Sequence, residues 1–145
     1  MNKPLWVIDT NVVLDMLHFD DVAARPLRLA LEDGRVRCMV SDSMLAEWRR
    51  VLAYPEFGLD LAQQAKLFAR YQALAIKTDA VGVDVGLPRC SDPDDQQFIE
   101  LAAAVRAQGL VSKDRALIKL RRRCAPQFRI LTPAEAVCWL DDSAV

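Results

Sequence analysis

Histidine is nearly missing from this sequence: His18 stands alone among 145 residues. Paired-imidazole acid–base chemistry is therefore excluded within one chain, and a zinc site of the usual kind has too few ligands. Cysteine adds little, because Cys38, Cys90, Cys124 and Cys138 are scattered with no C-x-x-C pair. Four reduced thiols in a cytoplasmic protein is the expectation. No apolar run approaches the ~20 residues that span a bilayer, and Met1 to Pro4 shows no separate charged and apolar leader, so no membrane association is expected. Only five residues are glycine and 52% are hydrophobic. With no long polar stretch, extended disorder is not expected, and residues 1–145 read as a single domain with one core. Net charge is also small, at -1, but unevenly placed. Asp79 to Asp95 holds five acids against Arg89, whereas Lys113 to Arg129 holds seven basic residues against Asp114.

What is present alternates. Leu5-Trp6-Val7-Ile8 is a short continuous apolar run that suits a strand buried on both faces, with Asp9 at its carboxyl end. Asn11 is placed to cap a turn of helix from Val12 to Leu17, and a second helix is predicted from about Val22 to Glu32, stopped by Gly34. Val36 to Val40 reads as a strand. Ser41-Asp42-Ser43 then offers N-caps to a helix with Met44, Leu45, Trp48, Val51 and Leu52 on one face and Glu47 at its edge. Leu61 to Lys77 is predicted helical, and Gly82 to Cys90 loop-like with room for a brief strand. Asp92-Pro93-Asp94-Asp95 is a helix start, with Asp92 at the N-cap and Pro93 at N1. Leu110-Val111-Ser112 is a short strand with Asp114 just past its end, and Arg115 to Arg122 should be helical. Phe128 to Leu131 is a last strand before a helix capped by Thr132 and Glu135 and running to about Leu140. Such alternation argues for a mostly parallel sheet covered by helices, which binds ligands beyond the carboxyl ends of its strands. Asp9 and Asp114 both lie there.

The acids differ in how readily an ordinary role explains them. Asp92 and Asp94 fill the first turn of a helix, where carboxylates accept backbone N–H bonds and complement the dipole. Glu135 completes a capping box with Thr132 and is assigned to structure. Asp114 can cap the helix that follows it, and Glu47 can be a solvated edge residue. Asp9 has no such role if Asn11 caps the first helix, and a buried charge there needs a partner or a metal. Several carboxylates in one pocket repel one another unless a cation is present, and Mg²⁺ or Mn²⁺ prefers oxygen ligands.

Ile8-Asp9-Thr10-Asn11-Val12-Val13-Leu14, Ser43-Met44-Leu45-Ala46-Glu47, Asp92-Pro93-Asp94-Asp95-Gln96-Gln97-Phe98 and Val111-Ser112-Lys113-Asp114-Arg115-Ala116-Leu117 resemble, in order and spacing, the four acidic motifs of the PIN-domain nucleases. Val51 to Phe57 and Ile130 to Glu135 extend the resemblance to nearly the whole chain. Each motif alone is weak; four in order are more specific. The bacterial branch that includes toxins of toxin–antitoxin pairs is the most similar. The resemblance implies a three-layer α/β/α domain with a central, mostly parallel sheet. It also implies a metal-dependent endoribonuclease whose acidic quartet is Asp9, Glu47, Asp95 and Asp114. Asp9 and Asp95 would be the foremost ligands of Mg²⁺ or Mn²⁺, with Thr10, Asn11 and Ser112 as supporting hydrogen-bonders and Asp92 as an extra acid at the rim. Many members carry glycine before the fourth acid, where this chain has Lys113. That lysine could hold a substrate phosphate or be an ordinary surface residue.

The expected reaction is hydrolysis of an RNA phosphodiester leaving a 5′-phosphate, with the ion lowering the pKa of a water and offsetting charge on the phosphate. Arg115, Lys119 and Arg122 recur at i, i+4 and i+7 and form one basic stripe on the helix that starts at Asp114. Phosphate contact and a solvated helix face are both open readings of it. Arg49 and Arg50 could extend the path. Trp6, Trp48 and Trp139 sit among apolar neighbours and read as core, His18 as surface. Expected partners are single-stranded or structured RNA, a cognate antitoxin protein and a second copy of the chain. Two other readings compete: a PIN-fold binding module without useful catalysis, and a haloacid-dehalogenase-like phosphatase in which Asp9 would be phosphorylated. In the latter, Asn11 stands where a second aspartate belongs.

Overall fold

The computed structural model describes residues 3–79 and 86–143. Five parallel strands form one sheet: β1 (Leu5–Ile8), β2 (Arg37–Val40), β3 (Ile76–Lys77), β4 (Gly109–Val111) and β5 (Arg129–Leu131), in the order β3-β2-β1-β4-β5. Its central strand is β1, and all four residues of β1 are buried, as expected for a strand covered on both faces. The helices are α1 (Thr10–Leu17), α2 (Arg25–Glu32), α3 (Asp42–Leu52), α4 (Leu61–Leu74), α5 (Gln96–Ala104), α6 (Arg115–Ile118), α7 (Arg121–Cys124) and α8 (Pro133–Ser143). Right-handed connections in this strand order put α1 to α4 on one face and α5 to α7 on the other. The three-layer α/β/α arrangement expected from the sequence is thus the one observed. α8 returns to pack on α2.

Two indoles anchor the core. Trp6 and Trp48 are fully buried, together with Phe98 and Ile99 from α5 and Leu110 from β4. Trp6 lies opposite Gly109 in the β1–β4 register, and a Cβ at Gly109 would come within 3.2 Å of the Trp6 ring and 3.3 Å of Leu131. Glycine is needed there for close approach, not for its backbone freedom. Trp139 packs on Trp6 with ring centroids 5.6 Å apart and carries the Arg129 guanidinium 5.5 Å from its own centroid. All four cysteines are free, and only Cys138 is exposed.

Several boundaries depart from expectation. The first helix begins at Thr10 because Asp9, not Asn11, is its N-cap. The second begins at Arg25, with Pro26 in its first turn. The predicted helix 61–77 ends at Leu74: Ala75 is extended, and Ile76–Lys77 pairs with β2 at the sheet edge. The strand placed within 82–90 falls partly on residues 80–85, outside the described residues, and 86–90 form none. The acidic helix start is a 3₁₀ turn, Pro93–Asp95, leading into α5. Arg115 to Arg122 is not one helix but two, separated by a turn at Lys119 and Leu120. His18 is half-buried, its ring against Phe19 and Phe57.

Candidate metal centre

The strand order reverses between β1 and β4, and the crevice beyond their carboxyl ends is where open α/β sheets hold ligands. Ile8 stands level with Val111, and the Asp9 amide extends the ladder by donating to the Val111 carbonyl at 2.9 Å. Ser112, fully buried, therefore comes beside Asp9 and donates from Oγ to Asp9 Oδ2 at 2.7 Å. The same Oγ accepts the Asp114 amide at 2.9 Å. One hydroxyl thus orients the acid after β1 and shapes the turn that delivers the acid after β4. Asp114 then caps α6, its Oδ1 accepting from the Ala116 amide at 2.8 Å.

Asp95 arrives from the other side of the crevice. Asp92 caps the 3₁₀ turn by accepting from the Asp94 amide at 3.0 Å. The next residue after Asp95, Gln96, is buried and tied by its side chain to the Cys90 amide at 2.7 Å and the Pro88 carbonyl at 3.1 Å. With its neighbours held, Asp95 is only 7% exposed.

Asp9, Asp95 and Asp114 each present a carboxylate oxygen within 4.8 Å of the others. Burial, and then the charges of Glu47 and Asp114, push Asp9 up to about 6 against the bonds from Ser112 and the Asn11 amide. Asp95 is pushed up to about 8, first by burial, then by the hydrogen bond it shares with Asp114 and by the charges of Asp9, Asp114 and Asp92. Asp114 is held below the usual carboxylate range by that shared bond and by the Ala116 amide. Asp95 Oδ2 is buried without a hydrogen-bond partner. Three hard oxygen donors, mutual repulsion and an orphaned buried oxygen are what a divalent cation would satisfy, so the residues fit Mg²⁺ or Mn²⁺.

Glu47 stands apart from the three. Its Oε2 accepts from the Thr10 hydroxyl, so it lies beside the residue following Asp9, not among the clustered oxygens. Asn11 is exposed, and only its backbone amide reaches Asp9, at 3.4 Å. Asp92 is exposed at the rim, its side chain engaged in the turn.

The basic residues are distributed differently from the expected stripe. Arg115, Lys119 and Arg122 are exposed, but the break between α6 and α7 removes the single helix face that was to align them. Arg122 instead borders a cleft of about 330 Å³ with Arg121, Arg129 and Glu135. Lys113 is not a free surface lysine: its Nζ is 2.7 Å from Asp15 Oδ2, which ties the turn before Asp114 to α1. Asp15 is a buried acid that the sequence reading passed over, since nothing in its spacing marks it. Arg49 turns toward α4 and stacks 4.2 Å over Phe68. Arg50, one residue on, faces the Glu47 side.

A family model for the PIN domain matches residues 6–116, a span that takes in all four acids. The chain belongs to the PIN-domain family. The match sets aside the haloacid-dehalogenase-like reading of Asp9 and accounts for the order in which the acidic segments recur. Among solved structures, the crystal structure of VapBC2 from Rickettsia felis bound to a DNA fragment from their promoter is similar. The similarity covers 88% of this chain and 98% of that one, with a TM-score of 0.61 and 15% identity. At that identity the likeness is one of fold. No curated protein matches the sequence. No described helix is long and apolar enough to cross a membrane.

Proposed function

We propose that this PIN-domain protein is a cytoplasmic, Mg²⁺- or Mn²⁺-dependent endoribonuclease and the toxin of a toxin–antitoxin pair. The observation that carries the nuclease reading is the trio Asp9, Asp95 and Asp114, gathered at the switch point with one buried oxygen left unpartnered. These three would hold the ion, with Glu47 linked to the Asp9 side of the site through Thr10. When bound, such an ion supplies a water of lowered pKa and positive charge against the scissile phosphate.

The chain's own groups do the rest. Ser112 holds Asp9 in one orientation, so that its free lone pairs face the crevice. The Lys113–Asp15 pair keeps the β4–α6 turn against α1. Arg115 and Lys119, exposed on α6 and just after it, draw in the RNA backbone, and Arg122 extends that field at longer range. The similar structure is of VapBC2 on promoter DNA, which supports a partner protein for this chain; a second copy of the chain is the other partner expected.

Cleavage of single-stranded RNA with Mg²⁺ or Mn²⁺, with EDTA, and with Asp9→Asn tests the reading. Metal-dependent cleavage that Asp9→Asn abolishes is expected. An Asp9→Asn protein that cleaves as fast as the parent would assign the activity elsewhere. Calorimetry with Mn²⁺ separates an enzyme from a metal-free binding module: no binding at millimolar Mn²⁺ would favour the module.

A further inference from the structure

Beside the carboxylate trio, between α3 and the Pro93–Asp95 turn, lies a cavity of about 520 Å³. Two of its wall residues connect it to the trio. Glu47, on one wall, is bonded to Thr10, and Asp94, on the other, immediately precedes Asp95. The remaining walls include Ser43, Arg50, Tyr54 and Gln97.

These groups form a recognisable set. Tyr54 is 46% exposed, and its ring lies within 10° of parallel to Phe57, with centroids 6.3 Å apart. Phe57 in turn packs edge-on against His18 and Phe19, and Pro55 restricts the Tyr54 backbone to its extended conformation. The platform is therefore fixed in place rather than a loose surface ring. Facing it, the Ser43 hydroxyl donates to Gln97 Oε1, and Gln97 Nε2 donates to the Asp94 carbonyl at 3.2 Å. That leaves one amide hydrogen of Gln97 and the lone pairs of Ser43 Oγ for a ligand. Arg50 makes no ion pair among the described residues, so its charge is also available. A fixed aromatic plane, a donor–acceptor edge and an uncommitted cation suit an unstacked nucleobase and its phosphate. The mostly polar walls suit an apolar ligand poorly.

We propose that this cavity is a nucleobase subsite: the base next to the scissile phosphate stacks on Tyr54, Ser43 and Gln97 meet its edge, and Arg50 meets the adjoining phosphate. The substrate class rests on the nuclease reading above; the pocket does not. Binding of a fluorescein-labelled single-stranded RNA decamer, read by anisotropy with Ca²⁺ replacing Mg²⁺, tests it on the full chain. Tyr54→Ala should weaken binding roughly tenfold or more, the scale of losing one base stack, and Tyr54→Phe should stay within about twofold of the parent, since the stack itself is kept. Arg50→Gln should lower the salt dependence by about one phosphate contact. Circular dichroism melts establish that each variant is folded.

A folded Tyr54→Ala protein that binds and cleaves like the parent overturns the subsite and leaves the nuclease reading standing. A parent that cleaves nothing yet binds RNA in a Tyr54-dependent way overturns the nuclease reading and supports the subsite. A parent that binds no RNA at all overturns both.

Discussion

Carboxylates occur in two contrasting settings in this molecule. At the head of α8, Glu135 accepts from the Thr132 amide at 2.9 Å and from both terminal nitrogens of Arg121 at 3.0 and 2.9 Å. The Thr132 amide and the Arg121 guanidinium hold its carboxyl below the usual range. At the β1–β4 switch point, Asp9 and Asp95 are more deeply buried, face other acids, and are pushed up instead. The first arrangement is complete as it stands. The second is not: three carboxylates held together repel one another when ionised, and either bound protons or a divalent cation relieves that repulsion. Having acids is thus not what separates the two places. Among the described residues, no ion pair joins any of the three to a lysine or arginine.

The largest effect expected is at the trio. Asp9→Asn and Asp95→Asn should each lower RNA cleavage by about 10²-fold or more, while the metal-free variants melt no lower than the parent at pH 8, because each removes a buried charge. Thermal melts and cleavage rates on the same preparations check both halves. A variant that loses activity and also stability would mean that the acid is structural, like Glu135, and the contrast would collapse.

Next in size is the response to pH. Asp9 and Asp95 have folded-state pKa values above the unfolded value of about 3.9, so the native state holds protons that the unfolded chain releases. Their contribution to stability is complete below about pH 4 and is lost as the pH rises through about 6 for Asp9 and about 8 for Asp95. Asp114, lowered, acts oppositely and only at the acid end. The metal-free protein should therefore melt lower at pH 8 than at pH 5, by a few kcal/mol of stability. Mn²⁺ should restore more at pH 8, where the carboxylates are ionised. Scanning fluorimetry at both pH values, with and without Mn²⁺, measures this; an identical pH slope in the Asp9→Asn, Asp95→Asn double variant would sink the assignment.

How much of this was legible beforehand depended on whether a pattern carried it. Asp9 was marked by the apolar run before it and Asp95 by a Pro-bearing helix start, and both lie where those signals put them. Glu47 shows the limit: helical periodicity told which edge of α3 it occupies, but not that its carboxylate would meet Thr10 and stop short of the three clustered oxygens. The cap of α1 was misassigned because the strand's last acid and the helix's N-cap are one residue, Asp9. A two-residue edge strand, Ile76–Lys77, has no period to read. The broken α6–α7 region kept helical spacing at Leu117, Leu120 and Cys124, all buried, so its apolar pattern concealed the turn. The Lys113–Asp15 pair joins residues 98 positions apart and left no local trace.

A moderate effect is expected at Ser112, the residue that couples two arms of the site. Ser112→Ala removes the donor to Asp9 Oδ2 and the acceptor of the Asp114 amide, in a spot where water does not readily substitute because Ser112 is fully buried. The cost should be roughly 1–3 kcal/mol, with Mn²⁺ affinity falling alongside stability. Calorimetry and denaturant melts together read both, and unchanged Mn²⁺ affinity would limit Ser112 to scaffolding.

The smallest effect is expected at the other end of the comparison. Glu135→Gln keeps the capping box, since glutamine serves at that position as well as glutamate, and loses only the charge opposite Arg121. That pair is about 2.9 Å apart but two-fifths exposed on both sides, so water and salt screen it and the expected loss is below about 1 kcal/mol. Because the Glu135 carboxyl is held down, its contribution is present above about pH 4.5 and lost only below it. The variant should therefore melt slightly lower than the parent by a constant margin between pH 5 and 8, with the same pH slope and the same response to Mn²⁺. A changed slope in that range would mean that charge at α8 reaches the switch point, and that the two acidic settings are coupled through the sheet.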